Sequence, residues 1–278
     1  MEPGWLAALV LAGAPSDEPA TDAARREAAV AEALGASPRD WPRPLLARTR
    51  PLVGAAYGHS PLGEGEGQDP DPLLRFDRFD CTTFVETALA LTRSSDLEEL
   101  TTHLSEIRYR GTPGFQNRRH LMTSQWIPDL IEGGWVEDVT RAVGGREART
   151  VRLRLTPKRW RQRRIARKLK LPAEAVPSGV FILPVLPLDA FEDRLPRVPE
   201  GTILNLVRVN WRLSPDLVTH QGLLFRRRGR WMMRHASPVG RRVRDEPISK
   251  ILERYRKPRK WPIAGVHLLR VLPPQPPG

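Results

Sequence analysis

The chain has 278 residues, 40% of them hydrophobic, and carries 45 Lys and Arg against 32 Asp and Glu for a net charge of +13. That is enough apolar material for one large domain or two small ones, and no apolar run is long enough to span a bilayer. The basic excess points to an anionic partner, whether an acidic polymer, a membrane surface or nucleic acid. One cysteine excludes an internal disulfide and zinc sites needing two cysteines, and the six histidines lack His-x-x-x-His or His-Glu-x-x-His spacing, so neither a metal nor another cofactor is expected.

Taken in chain order, residues 1–14 read as a short export signal. An apolar run from Trp5 to Ala12 leads into the small-x-small pattern Ala12-Gly13-Ala14, although no Lys or Arg precedes it. A periplasmic or exported location is the expectation, a cytoplasmic one the alternative. Residues 15–44 form an N-terminal helical segment, with an Ala-rich helix over 16–35 closed by Gly35 and punctuated by Ser37-Pro38 and Trp41-Pro42. A main domain spans 45–272. It opens with a Gly-, Pro- and Asp-rich loop at 58–72, whose Gly63 to Gly67 glycines lack the strand and Gly-Lys-Ser/Thr of a phosphate loop.

That loop precedes the only cysteine, in Asp80-Cys81-Thr82-Thr83-Phe84-Val85-Glu86. Asp80 reads as a helix N-cap, Cys81 falls in the first turn, and Phe84, Val85, Ala88 and Leu89 make an apolar stripe at helical spacing. Helix-start N–H groups carry partial positive charge, so a thiol placed there is expected to ionise more easily and act as a nucleophile. The competing reading is an inert buried cysteine. A second helix is predicted over 96–109, with Asp96 as N-cap and Glu99 at the capping-box position, and a third over Thr123–Glu132, stopped by Gly133-Gly134. Residues 156–170 hold eight Lys and Arg and no acid. They read as a solvated basic helix, or alternatively as a polyanion-binding one. From Val180 onward the texture is strand-like, and a Pro-rich tail covers 273–278.

The strands at Leu217–Phe225 and Arg230–Ser237 read as a hairpin around Arg226–Gly229. A four-residue loop sets Phe225 opposite Arg230 and His220 directly opposite His235, with Cβ atoms roughly 5 Å apart. One imidazole then serves as base for a thiol and the other holds its tautomer, and Gly222 leaves room on that face. The alternative is a pair of structural strand histidines.

Asp80-Cys81-Thr-Thr-Phe, His220-x-Gly and His235-Ala-Ser, in that order, resemble the NlpC superfamily of papain-like cell-wall peptidases and amidases. The longer Asp-Cys-Thr-Thr-Phe-Val-Glu motif at 80–86, Tyr57 upstream, Arg119-His120, Trp126 and the stretch from Gly134 to Thr140 are closest to its N-acetylmuramoyl-L-alanine amidase branch, over residues 45–272. The resemblance implies an α+β fold with a papain-like (NlpC-type) core, in which a Cys-bearing helix packs on a mainly antiparallel sheet. It implies Cys81 as nucleophile, His220 as base and His235 as orienting third member. Tyr57, Asp80, Arg119, His120 and Trp126 shape the oxyanion and substrate site, and Arg118 and Arg119 are candidates for a basic rim. The substrate would be peptidoglycan fragments (muropeptides), with no nucleic acid partner. A γ-D-glutamyl-diamino acid endopeptidase of the same fold, or a basic non-catalytic wall-polymer-binding protein, are the alternatives. The chain departs from the pattern at Gly201-Thr202, where Gly-Asp is common, at Gln221, where an aliphatic residue is usual, and loosely through 141–200.

Overall fold

The computed structural model describes residues 18–35, 42–162, 166, 169–209, 214–257 and 261–274. In chain order these form α1 (Glu18–Gly35), α2 (Arg43–Arg48), β1 (Ala56–Tyr57), β2 (Arg78–Phe79), α3 (Cys81–Arg93) and α4 (Leu97–Arg108). A π-helical turn at Met122–Trp126 runs into α5 (Ile127–Glu132), then β3 (Val136–Asp138), α6 (Thr140–Gly144), β4 (Arg149–Leu155), α7 (Pro157–Arg161), β5 (Gly179–Val185) and α8 (Leu188–Arg194). The last third supplies β6 (Ile203–Arg208), β7 (Val218–Arg227), β8 (Arg230–Ser237), β9 (Arg242–Pro247), α9 (Ile248–Arg256) and β10 (Ile263–Val271).

Eight strands make one sheet in the order β2-β1-β9-β8-β7-β6-β10-β3, and all its pairings are antiparallel except β1 with β2. The fold is therefore α+β, as the sequence suggests. Period-two alternation gives each central strand two apolar faces. Ile203, Val207 and Leu223 join Phe84, Val85, Ala88 and Leu89 of α3 in one core. Leu204, Leu206, Leu224 and Met233 join Phe191 of α8 and Ile248, Ile251 and Leu252 of α9 in another. The sheet is thus covered on both sides, and α3 lies against β7 and β8.

Three sequence expectations need adjusting. The hairpin between β7 and β8 turns on two residues, Arg228 and Gly229, both at positive φ (51° and 77°), and its ladder runs from Arg227↔Arg230 to Leu223↔Arg234. This is the primed turn whose twist matches the strands; the basic run Arg226-Arg227 hides it because both residues stay in the strand. The partner of each β7 residue therefore lies two positions further along β8 than a four-residue loop would give. A two-residue displacement preserves the face, so the histidines stay on the same side but become diagonal neighbours.

Second, an extra strand, β4, pairs with β5 as a separate ribbon ahead of the basic run. Of that run, α7 is described as helical; part of it, like residues 1–14 and 275–278, lies outside the described residues. Third, α8 and α9 interrupt the strand-rich region after Val180.

Candidate active site

Cys81 opens α3 because Asp80 supplies a full capping box. The Asp80 carboxylate accepts from the Thr83 backbone N–H at 2.8 Å, and the Thr83 hydroxyl accepts from the Asp80 N–H at 3.0 Å. The second Asp80 oxygen accepts from the Ser60 N–H at 3.0 Å, which fastens the Gly-rich loop to the cysteine. Glu86, one turn on, is buried between Arg108 at 2.6 Å and the Trp126 indole N–H at 3.0 Å. Every position of the Asp-Cys-Thr-Thr-Phe-Val-Glu run apart from Cys81 and Thr82 is thus spent on capping or anchoring the helix that carries the thiol.

Cys81 heads α3, and α3 lies against β7, the strand that carries His220 and Gln221. Burial, and next the Asp80 charge, push the thiol up to about 12, against the smaller opposing influence of the Gln221 backbone and the Thr82 hydroxyl. The expectation of a depressed thiol pKa is therefore corrected: the carboxylate that caps the helix sits beside the sulfur, and with burial it outweighs the helix N-terminus.

The histidines lie in a relay across three adjacent strands. His220 Nε2 is 2.6 Å from His235 Nδ1, and His235 Nε2 is 3.3 Å from Glu246 Oε2. The other Glu246 oxygen accepts from Arg254 of α9 at 2.5 Å. A Cβ at Gly222 would lie 2.7 Å from the His235 Cβ, so only glycine lets that ring lie across β7. A register irregularity between Leu206 and Val207, opposite Val218–His220, bends β7 next to His220. Tyr255 of α9 stacks over His220, with centroids 6.5 Å apart. Burial, then the neighbouring His235, lower His220 to about 3, so its imidazole is neutral and able to accept a proton. The hydrogen bond to His235 leads the causes that lower Glu246 to about 2, which keeps it ionised at neutral pH.

Tyr57 shares this neighbourhood. Burial, followed by the neighbouring Cys81, Asp80 and Tyr255, raises it to about 12, so its hydroxyl remains a donor. The other sequence candidates lie elsewhere. Trp126 is fully buried with its indole on Glu86, a core residue rather than a substrate contact. Arg119 donates to Asp129 at 2.6 Å and to the carbonyls of Glu106, Ile107 and Tyr109, and Arg118 donates to Glu64 and Asp69. Both guanidiniums thus hold the segment between α4 and α5 in place instead of presenting a free rim. Gly134, at φ 66°, ends α5, and the Thr140 hydroxyl accepts from the Leu268 N–H. His120 bonds the Phe115 carbonyl at 2.7 Å and is lowered to about 4 by burial. It lines a cleft of about 300 Å³ with Ser60, Gln68, Asp69, Phe115, Arg118 and Leu169. Ser60, on the wall of that cleft, donates its backbone N–H to Asp80, the residue before the cysteine.

Glu246, Arg254 and Tyr255 escaped the sequence reading. The only local signal is an acid before the amphipathic segment Ile248–Arg256, and it says nothing of register. Among the described residues no group of three or more His, Cys, Asp or Glu could hold a metal ion.

A family model described as AmiA-like, N-acetylmuramoyl-L-alanine amidase-like, matches residues 48–257. The chain belongs to this AmiA-like family. The match takes in Tyr57, Cys81, both relay histidines, Glu246, Arg254 and Tyr255. Among solved structures, a Legionella pneumophila protein is similar with a TM-score of 0.74 and 21% identity, over 93% of this chain and 96% of that one. Two structures of an N-acetylmuramoyl-L-alanine amidase from Bacteroides uniformis give TM-scores of 0.63 and 0.62 at 23% and 24% identity, over 82% of this chain and 98% and 97% of theirs. At such identities the likeness is one of fold. None of the curated proteins matches the chain.

Proposed function

We propose that this AmiA-like protein is an exported, cysteine-dependent amidase with a papain-like, NlpC-type core, cleaving the N-acetylmuramoyl–L-alanine bond of muropeptides through a thiol acyl-enzyme. The observation that carries the reading is the His220–His235–Glu246 relay, at 2.6 Å and 3.3 Å, whose histidines stand on the two strands against which the helix opened by Cys81 packs.

The relay fixes where protons sit. Ionised Glu246 accepts from His235 Nε2–H, so His235 Nδ1 is left as an acceptor. It then receives the His220 Nε2–H, and His220 Nδ1 is the nitrogen left to act as base. As Sγ attacks the lactyl carbonyl, its proton passes to that nitrogen and the carbonyl electron pair moves to oxygen. The Cys81 N–H and the Tyr57 hydroxyl are the donors proposed for that oxyanion. Collapse breaks the C–N bond, and the leaving L-Ala amine takes the proton from His220. Water, deprotonated by the same nitrogen, then hydrolyses the thioester. Glu246 is a positioning residue here, acting through His235.

With the thiol near 12 and His220 near 3, the resting pair is neutral on both sides. Proton transfer is therefore tied to carbonyl attack and not stored beforehand as an ion pair. Digestion of a defined muropeptide followed by mass analysis tests the bond assignment. Release of an intact peptide headed by L-Ala is expected. L-Ala-D-Glu left on the sugar would instead assign the γ-D-glutamyl–diamino acid bond.

A further inference from the structure

The β4–β5 ribbon stands outside the main sheet, and its two faces differ in kind. Leu153, Leu155, Leu183 and Val185 are buried in the main core. The opposite face pairs Arg152 with Ile182 and Arg154 with Val180 across the ladder. Ile182 is 54% exposed and Val180 55%. Solvent-facing strand positions ordinarily carry polar residues, yet here two aliphatic side chains of β5 lie opposite two arginines of β4. From Arg149 to Lys170 the sequence holds eleven Lys and Arg and no Asp or Glu, and β5 itself is uncharged. Lys158, Arg161 and Lys170 within that stretch are exposed.

We infer that this ribbon face is a docking surface for an anionic lipid bilayer. Charge complementarity selects an acidic partner, since cationic side chains near an anionic leaflet each add to binding. The aliphatic pair selects a bilayer over a soluble polyanion: Val180 and Ile182 gain nothing from a phosphate chain, whereas the boundary between headgroups and acyl chains removes them from water. No aromatic side chain lies on this face of the ribbon to stack on a base, as single-stranded nucleic acid binding would use. Among the described residues no helix is long and apolar enough to cross a membrane, so the contact is peripheral. It would hold the enzyme at a membrane surface independently of the cysteine site.

The test is co-sedimentation of the full chain with vesicles of phosphatidylglycerol and phosphatidylcholine, compared with phosphatidylcholine alone and with competition by soluble polyphosphate. Binding to the anionic vesicles only is expected. Both V180S/I182S and R152Q/R154Q should weaken it about tenfold or more, while turnover of soluble muropeptides stays unchanged, which shows that the variants fold. Equal binding to neutral vesicles, no binding at all, or affinity unaffected by V180S/I182S would overturn the proposal. The last outcome, with polyphosphate competing fully, would mark a polyanion site instead.

Discussion

Glu246→Ala removes the far end of the relay without touching the thiol or the base. In the wild type the carboxylate accepts from His235 at 3.3 Å and is braced by Arg254 at 2.5 Å, with His235 only 1% exposed. A charge-assisted hydrogen bond of this kind contributes about 1.5–3 kcal/mol. Without it, the His235 tautomer protonated on Nδ1 becomes competitive. That tautomer obliges His220 to accept at Nε2 and puts the proton on Nδ1, where the thiol proton must go. If the whole hydrogen-bond energy is lost from tautomer selection, kcat falls about 10- to 150-fold. KM should change little, because Glu246 touches no substrate in this account. Glu246→Gln can still accept through its amide oxygen and should recover part of the loss. Steady-state kinetics on a defined muropeptide from pH 5 to 9, with a melting curve for each variant, separates this from simple destabilisation. Glu246 is held near 2 and does not titrate in that range, so the wild-type acid limb belongs to another group. E246A turnover within twofold of wild type, with an unchanged pH profile, would mean that Glu246 does not set the His235 tautomer.

Other outcomes follow from the same geometry. Cys81 is the only thiol, and at about 12 its thiolate fraction near neutrality is about one in 10⁵. Alkylation by iodoacetamide in the absence of substrate should be slow at pH 7 and climb steadily above pH 9; a plateau between pH 5 and 8 would indicate a stored ion pair. His220, lowered to about 3, refuses a proton that the unfolded chain takes near 6.5. Its contribution to stability is whole above pH 6.5 and is lost as pH falls toward 3, to a limit of about 5 kcal/mol. Urea titrations at pH 7 and pH 4 should show the loss, and His220→Asn should flatten it, leaving the smaller slopes from His120, lowered to about 4, and from Glu246, lowered to about 2. A variant with the full wild-type slope would remove His220 as its source. Glu86→Ala strands Arg108 in the core at 4% exposure and should cost about 3–5 kcal/mol in thermal or urea unfolding, whereas E86L/R108M should be milder. Equal losses would mean that the ion pair itself, not the orphaned charge, matters.

Much of the thiol side of the site was legible because it is local. Asp80 three residues before Thr83, followed by an apolar stripe, specifies a capped helix wherever it packs, and α3 starts at Cys81 as read. What a one-dimensional reading lacks is the burial that, with Asp80, reverses the expected thiol shift. A four-residue turn puts the histidines on one face, and the actual turn, Arg228-Gly229, is two residues shorter. The face survived because the displacement was even, and an odd one would have parted them. Glu246 reaches His235 only once β8 and β9 are in register, with Met233 opposite Glu246 and His235 opposite Arg244. Arg119 and Trp126 read as site residues from motif position alone; in the fold, Asp129 and Glu86 claim their polar atoms. The β4 strand went unread because the arginines of Arg-Thr-Val-Arg-Leu-Arg-Leu look like part of the basic run that follows, although Val151, Leu153 and Leu155 alternate inward.

Whether Cys81 Sγ is the attacking atom is decided by the Cys81→Ala variant acting on a defined muropeptide, with its melting temperature matched to wild type. Loss of the nucleophile from a unit of this kind should lower kcat by about 10⁴-fold or more, with product masses at background. Hydrolysis by Cys81→Ala within tenfold of wild type would contradict the mechanism, whatever bond is cut.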